Sequence, residues 1–278
     1  APLHTWLADA HSQAPSPVSG VLSGVLLACA LYAILRFHTL TTAATASNFS
    51  GNLLLAFGVV SVAVAAPFVL VQRDLKRLLA YSSVEHIGLM AVAFGIGGAL
   101  GVYAGVLHLV NHAATKSLLF FSAGDVVQRF GTRRISAIHG ALRVAPLSGW
   151  LLLLGVFAIT GGPPSGIFIS EVAIAGAGFG GDRWRVAASV VVVLLLGAIF
   201  AGILAQTLRL AYGTPPAALV SGGGTGHRWW SDGPRLAAVA PLVAIVVLFG
   251  IYVPGPVSDL LHDVATMVAP VSGTAARP

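Results

Sequence analysis

Residues 103–124, YAGVLHLVNHAATKSLLFFSAG, hold 22 residues without an acidic side chain and with one lysine and two histidines. A bilayer span needs about 20 apolar residues in a helix. This stretch is long enough to cross, yet it carries His108, His112 and Lys116 where an ionisable group is expensive to bury. The three recur every fourth residue, so a helix places them on one face, a polar stripe about 12 Å long at about 1.5 Å of rise per residue. Imidazoles titrate near neutrality and exchange protons through either ring nitrogen, and a desolvated lysine titrates far more readily than a solvated one. The stripe therefore suits proton transfer, with Asn111 and Thr115 placed to hold water near that face. Two other readings stay open: hydrogen-bonded helix glue, and metal or haem ligation through the H-x3-H pair. The metal reading finds no third protein ligand in the run except Lys116, a poor one for zinc.

Outward from this stretch the chain has the same character. Of its 278 residues 56% are hydrophobic and 9% charged, against roughly 25% charged in soluble domains. A water-soluble globule is excluded. Uncharged runs of spanning length lie at about 17–37, 51–71, 78–98, 101–124, 186–210 and 236–254. Their continuous apolarity disfavours a β-barrel, whose strands alternate. Cys29 is the single cysteine, so disulfides and cysteine-rich metal sites are excluded. The net charge of +6 comes from short links between apolar runs, which indicates a lipid boundary and no nucleic-acid partner.

Between 145 and 179 the pattern is broken by Gly161-Gly162-Pro163-Pro164, where helical hydrogen bonding must stop. Glu171 follows seven residues after Pro164. Interrupted membrane helices place their ends at ion sites, so Glu171 is a candidate proton or cation carrier; otherwise it satisfies an exposed backbone end. Glu85 and His86 sit inside the third run, either as further proton-path residues or as an interfacial pair.

The organisation expected is one transmembrane domain over 1–278, all-α, with about 7–8 spans. Residues 1–16 form a connecting segment, 213–233 a Gly-rich loop anchored by Trp229-Trp230, and 256–278 an interfacial amphipathic tail. The start, without methionine or a signal-peptide pattern, reads as the interior of a longer protein. If Gly161–Pro164 is a turn between two crossings, Arg73, Lys76, Arg77, Arg129, Arg133, Arg134, Arg143, Arg183 and Arg185 fall on one side. Arg36, Arg209, Arg228 and Arg235 fall on the other, and the first set would be cytoplasmic.

Four segments in order, PLHTWLADAHSQAPSPVSG (2–20), DLKRLLAYSSVEHIGLM (74–90), HLVNHAATKSLLFFSAG (108–124) and GGPPSGIFISE (161–171), carry a family resemblance. They resemble the antiporter-like subunits of respiratory complex I, Mrp antiporters and group 4 hydrogenases, with SSVEH most similar to the hydrogenase component F type. The resemblance implies two inverted five-helix repeats in a fold of about fourteen helices, of which this chain holds the later part. It implies that His108, His112 and Lys116 belong to the central His/Lys helix and that Glu171 is the terminal ionisable residue of the second broken helix. Ala28 stands where the family's lysine of the first broken helix is expected, and 51–71 carries no Lys or His.

The expectation is a membrane subunit of a redox-driven ion pump in a prokaryotic inner membrane. Its partners would be other membrane-arm subunits and a peripheral nickel-iron hydrogenase-like or NADH dehydrogenase-like arm. No cofactor or metal is expected in the chain itself, since it holds no flavin, quinone or iron–sulfur motif. The rival readings are a secondary cation/proton antiporter and a non-conducting structural spacer.

Overall fold

The computed structural model describes residues 3–45, 47–216, 219 and 233–268, with the side chains at 234 and 235 also outside it. The expected loop at 213–233, with Trp229-Trp230 and Arg228, falls largely outside the described residues, as do 269–278.

The described residues are almost wholly helical. After α1 (Thr5–Gln13) come α2 (Ser16–Thr45), which has a π-helical turn at Leu22–Leu26, then α3 (Phe49–Val71), α4 (Leu75–Ile96) and α5 (Gly98–Phe130). A one-turn α6 (Ala141–Val144) leads to α7 (Pro146–Ile159), α8 (Gly166–Phe179), α9 (Arg183–Tyr212), α10 (Gly233–Ile251) and α11 (Gly255–Val268). Local chemistry sets several of these ends. Asp74 accepts hydrogen bonds from the Lys76 and Arg77 amides at 2.9 and 3.1 Å and starts α4. Asp182 does the same for α9 through the Arg185 amide at 3.0 Å, and α5 stops at Gly131 in the left-handed region, φ 65°.

Helices α2, α3, α4 and α9 are each long and apolar enough to cross a membrane, and α10 and α11 are so as a pair bent by 76°. Lipid tails supply no hydrophobic drive between helices, so close packing must hold them together. At the α3–α4 contact a Cβ on Gly58 would stand 2.7 Å from the Gly88 carbonyl, and one on Gly88 2.7 Å from the Ser61 Cβ. Only bare backbone allows that approach. Helix α4 is thereby enclosed on nearly all sides, as is most of α5. These are the two helices that carry the ionisable residues.

The links at 72–74 and 131–135 are paired, the Leu75 amide to the Arg133 carbonyl at 3.0 Å and the Ile135 amide to the Arg73 carbonyl at 2.9 Å. They define a basic end of the bundle. Gly149 near the start of α7 packs on α6 at that end, whereas Gly178 near the end of α8 lies beside Ile96 at the opposite end. The broken stretch therefore crosses once. This corrects the charge assignment that counted Gly161–Pro164 as a turn: Arg183 and Arg185 belong to the opposite end. Arg209 belongs to the basic end, because α9 finishes where Gly213 meets His139. The asymmetry survives the exchange.

The connecting segment is itself a docked helix, α1, with Leu7, Ala8, His11 and Ser12 buried. Helix α11 covers most of the expected tail. It leaves Asp259, His262 and Asp263 exposed, buries Leu261 and Ala265, and stacks His262 on Tyr103 of α5, ring centres 4.5 Å apart.

Candidate functional site

Positions 82, 85 and 86 share a face of α4, and 108, 112 and 116 share a face of α5. Those faces meet. Glu85, His86, His108, His112 and Lys116 are all at most 2% exposed, so the stripe points inward and the interfacial reading of Glu85 and His86 is set aside.

Lys116 spans to α4, where its Nζ donates to the Leu79 carbonyl at 2.7 Å and to the Ser82 hydroxyl. Ser82 and Ser83 hydroxyls donate to the same carbonyl, at 3.1 and 3.2 Å. Glu85 interacts electrostatically with Lys116, although no ion pair within 4.0 Å joins them. Its Oε2 is buried with no hydrogen-bond partner, as is His112 Nε2. Buried polar atoms without a partner are rare in folded proteins.

A second set of bonds runs from α4 across α5 to α8. His86 Nδ1 and His108 Nε2 are 2.9 Å apart, and His108 Nδ1 is 2.9 Å from the Ser170 hydroxyl. The His86 ring also lies 5.3 Å, centre to centre, from that of His112. Each neutral imidazole has one N–H, so the series can be ordered in two ways. In one, His86 donates to His108 and His108 to Ser170, whose own hydroxyl donates to the Gly166 or Ile167 carbonyl at 3.0 or 2.8 Å. In the other every bond reverses, and His86 presents its remaining N–H toward the Ile159 carbonyl at the end of α7. Passage of one proton along the series converts one order into the other.

The break supplies the end of that series. Helix α7 stops at Ile159, and α8 restarts with Ser165 accepting from the Phe168 amide at 3.2 Å. The Ser165 hydroxyl bonds back to the Ala158 carbonyl at 3.3 Å, tying the two half-helices together. Asn111 of α5 donates to the Gly166 carbonyl at 2.9 Å and fixes the start of α8 against the stripe. Glu171, half-buried, folds its carboxylate over Gly161, which has φ +76° and no side chain to obstruct it. It is Ser170, not Glu171, that touches His108; Glu171 stands one residue beyond.

Thus five of the six anticipated residues form one buried cluster, and Glu171 lies at its edge. Not anticipated were Ser82, Ser83 and Ser170, nor Ser23 on α2, whose hydroxyl is 2.8 Å from that of Ser83. Serines are common in membrane helices, and only Ser82, one turn before His86, carried a positional hint. His11 was missed as well. Among the described residues no group of three His, Cys, Asp or Glu side chains is arranged to hold a metal ion.

An all-helical membrane bundle with an interrupted helix, crossed in its interior by a lateral row of His, Lys, Glu and Ser side chains, defines a class of polytopic membrane protein. The chain belongs to the NADH:quinone oxidoreductase/Mrp antiporter transmembrane family, which residues 1–197 match. It is 45% identical over 214 residues to the hydrogenase-4 component F homolog of Methylacidiphilum infernorum (isolate V4), covering 77% of this chain and 44% of that one. It is 32% identical over 267 residues to NADH-quinone oxidoreductase subunit M of Escherichia coli (strain K12), covering 94% of this chain and 50% of that one. The fold matches a chain of respiratory complex I from Thermus thermophilus with bound NADH, TM-score 0.80 at 24% identity, over 99% of this chain and 56% of that chain. The chain spans about half the length of the curated relatives it matches.

Proposed function

We propose that this chain is part of a membrane subunit of a redox-driven ion pump and moves protons laterally and across the membrane through Lys116, Glu85, His112, His86, His108 and Glu171. The observation that carries the reading is the buried series His86–His108–Ser170, both bonds 2.9 Å, beside the Lys116–Glu85 site. Glue needs bonds but not two interconvertible orders of them, and all six side chains are of types that gain and lose protons. In this reading electron transfer would take place in a peripheral hydrogenase-like or NADH dehydrogenase-like arm, with other membrane-arm subunits beside this one. The excess of Lys and Arg at the basic end supports a reading in which that end faces the cytoplasm of a prokaryotic cell and the bundle lies in its inner membrane.

The test is Lys116→Ala in the intact complex, reconstituted into vesicles. Proton movement should be lost while redox turnover with artificial acceptors continues, since in this reading the electron carriers belong to the peripheral arm. Lys116→Arg should fail as well, because arginine stays protonated. A normal proton gradient with Lys116→Ala would make the helix a scaffold. Purification with subunit identification separates a redox complex from an antiporter assembly.

A further inference from the structure

His11 takes no part in the site described above, yet it is fully buried, and neither of its ring nitrogens has a hydrogen-bond partner. Its ring stacks on Phe120, centres 5.0 Å apart and planes 16° from parallel. Phe120 is one helical turn beyond Lys116 on α5, so the stack holds the imidazole at the basic-end side of the lysine. The charges that act on it come from two other elements, Lys116 on α5 and Lys76 on α4. Lys76 is itself buried, donates to the Ala14 carbonyl just past α1 at 2.8 Å, and lines a cavity of about 740 Å³. That cavity lies between the start of α2, the last third of α5 and the starts of α7 and α10. Ser122 and Asp125 give its wall polar groups. Helix α1 is fixed in place: the Ser19 hydroxyl bonds the His11 carbonyl at 3.1 Å, Arg133 bonds the Ser12 carbonyl, and Asp9 pairs with Arg77.

We propose that His11 is a proton relay between this cavity and Lys116, an inference that rests on the proton-translocating reading above. A hydronium in the cavity gives its proton to one ring nitrogen, and the proton on the other nitrogen passes to the neutral Lys116 amine. The imidazole returns to its starting state by a ring flip, one proton has entered and one has left, and no other bond changes. With no bond at either nitrogen the ring is free to reset by a flip, which a ring held by bonds at both positions is not. Burial, then the charges of Lys116 and Lys76, keep His11 neutral at rest, and uptake of a proton by the imidazole is easier once Lys116 has given its own away.

The test uses the intact complex in vesicles with His11→Phe and His11→Leu. Phenylalanine keeps the stack on Phe120 and the apolar burial but cannot carry a proton. Both variants should assemble, keep redox turnover with artificial acceptors within twofold, and lose at least tenfold in proton-translocation rate. A His11→Phe complex that retains more than half of the wild-type rate overturns the relay and leaves the ring a packing element. Failure of both variants to assemble overturns it too. Lys116→Ala run in parallel separates the two levels: if it abolishes translocation while His11→Phe does not, only the relay falls. If neither variant affects translocation, the functional reading falls with it.

Discussion

Replacing Ser170 with alanine removes one oxygen that three groups share. Its Oγ lies 2.9 Å from His108 Nδ1, 3.0 Å from the Gly166 carbonyl and 2.8 Å from the Ile167 carbonyl. The two carbonyls keep their helical partners, so the cost falls on His108, which is fully buried and has no other partner at Nδ1. Leaving a buried polar atom unsatisfied costs about 1–3 kcal/mol. His108 then places its proton on Nε2, donates to His86 and stays there, because the opposite order would bury an N–H with nothing to receive it. An equilibrium biased by 1–3 kcal/mol shifts by roughly 5- to 150-fold, and proton transfer across the histidine pair should slow by about that factor. The assay is vesicle acidification per redox turnover in the reconstituted complex, with Ser170→Thr as the control that restores the hydroxyl. Wild-type acidification by Ser170→Ala in a preparation where Lys116→Ala is inactive would show that protons reach Glu171 by another way.

Gly161→Ala should destabilise the chain by at least about 1–2 kcal/mol, since an L residue at φ +76° is strained, and should displace the Glu171 carboxylate that occupies the space of the new Cβ; thermal unfolding in detergent reads the first and translocation the second. Gly88→Val should cost about 1–3 kcal/mol by forcing α3 from α4, visible as a lower melting temperature with unchanged redox turnover in the peripheral arm. Burial, followed by the charges of Lys116 and Lys76, lowers His11 from 6.5 to about 4. The unfolded chain therefore takes up this proton first, and stability should fall as pH drops from about 6.5 toward 4. His11→Phe should flatten that part of the melting-temperature profile, and an unchanged slope would show that other groups set it.

Much of this was legible in the sequence because membrane helices announce themselves by length and apolarity. The run read at 51–71 is Phe49–Val71, that at 78–98 is Leu75–Ile96, and that at 186–210 is Arg183–Tyr212. The interruption at Gly161–Pro164 was legible because adjacent prolines cannot continue a helix. Whether the chain turned back there was not, since that depends on α8 packing Gly178 against Ile96 and Ser189 at the far end. The fourfold spacing of His108, His112 and Lys116 placed them on one face, but periodicity says nothing of what lies opposite. The partners proved to be Ser82, Ser170 and His86 on two other helices. His11 escaped notice because a short amphipathic segment beside a proline-rich link reads as a connector, and its burial comes from contacts with α4 and α5 more than sixty residues away.

The departure at Ala28 has a physical meaning. Where the family resemblance leads one to expect a lysine, α2 offers an uncharged, half-buried methyl group, and its contribution to the polar row is Ser23, bonded to Ser83 at 2.8 Å. A hydroxyl pair can pass a proton on by rotating, but it cannot store one near neutral pH. Among the described residues the proposed titratable stations lie on α1, α4, α5 and α8, from His11 through Lys116 with Glu85 to Glu171. Any proton that moves toward α2 must be driven across Ser23 and Ser83 without resting there. On the proposed path its departure would be governed by the charge state of Glu85 and Lys116. If coupling runs through the Lys116–Glu85 interaction as proposed, a substitution on α2 that leaves Ser23 in place should matter far less than any change at 85 or 116.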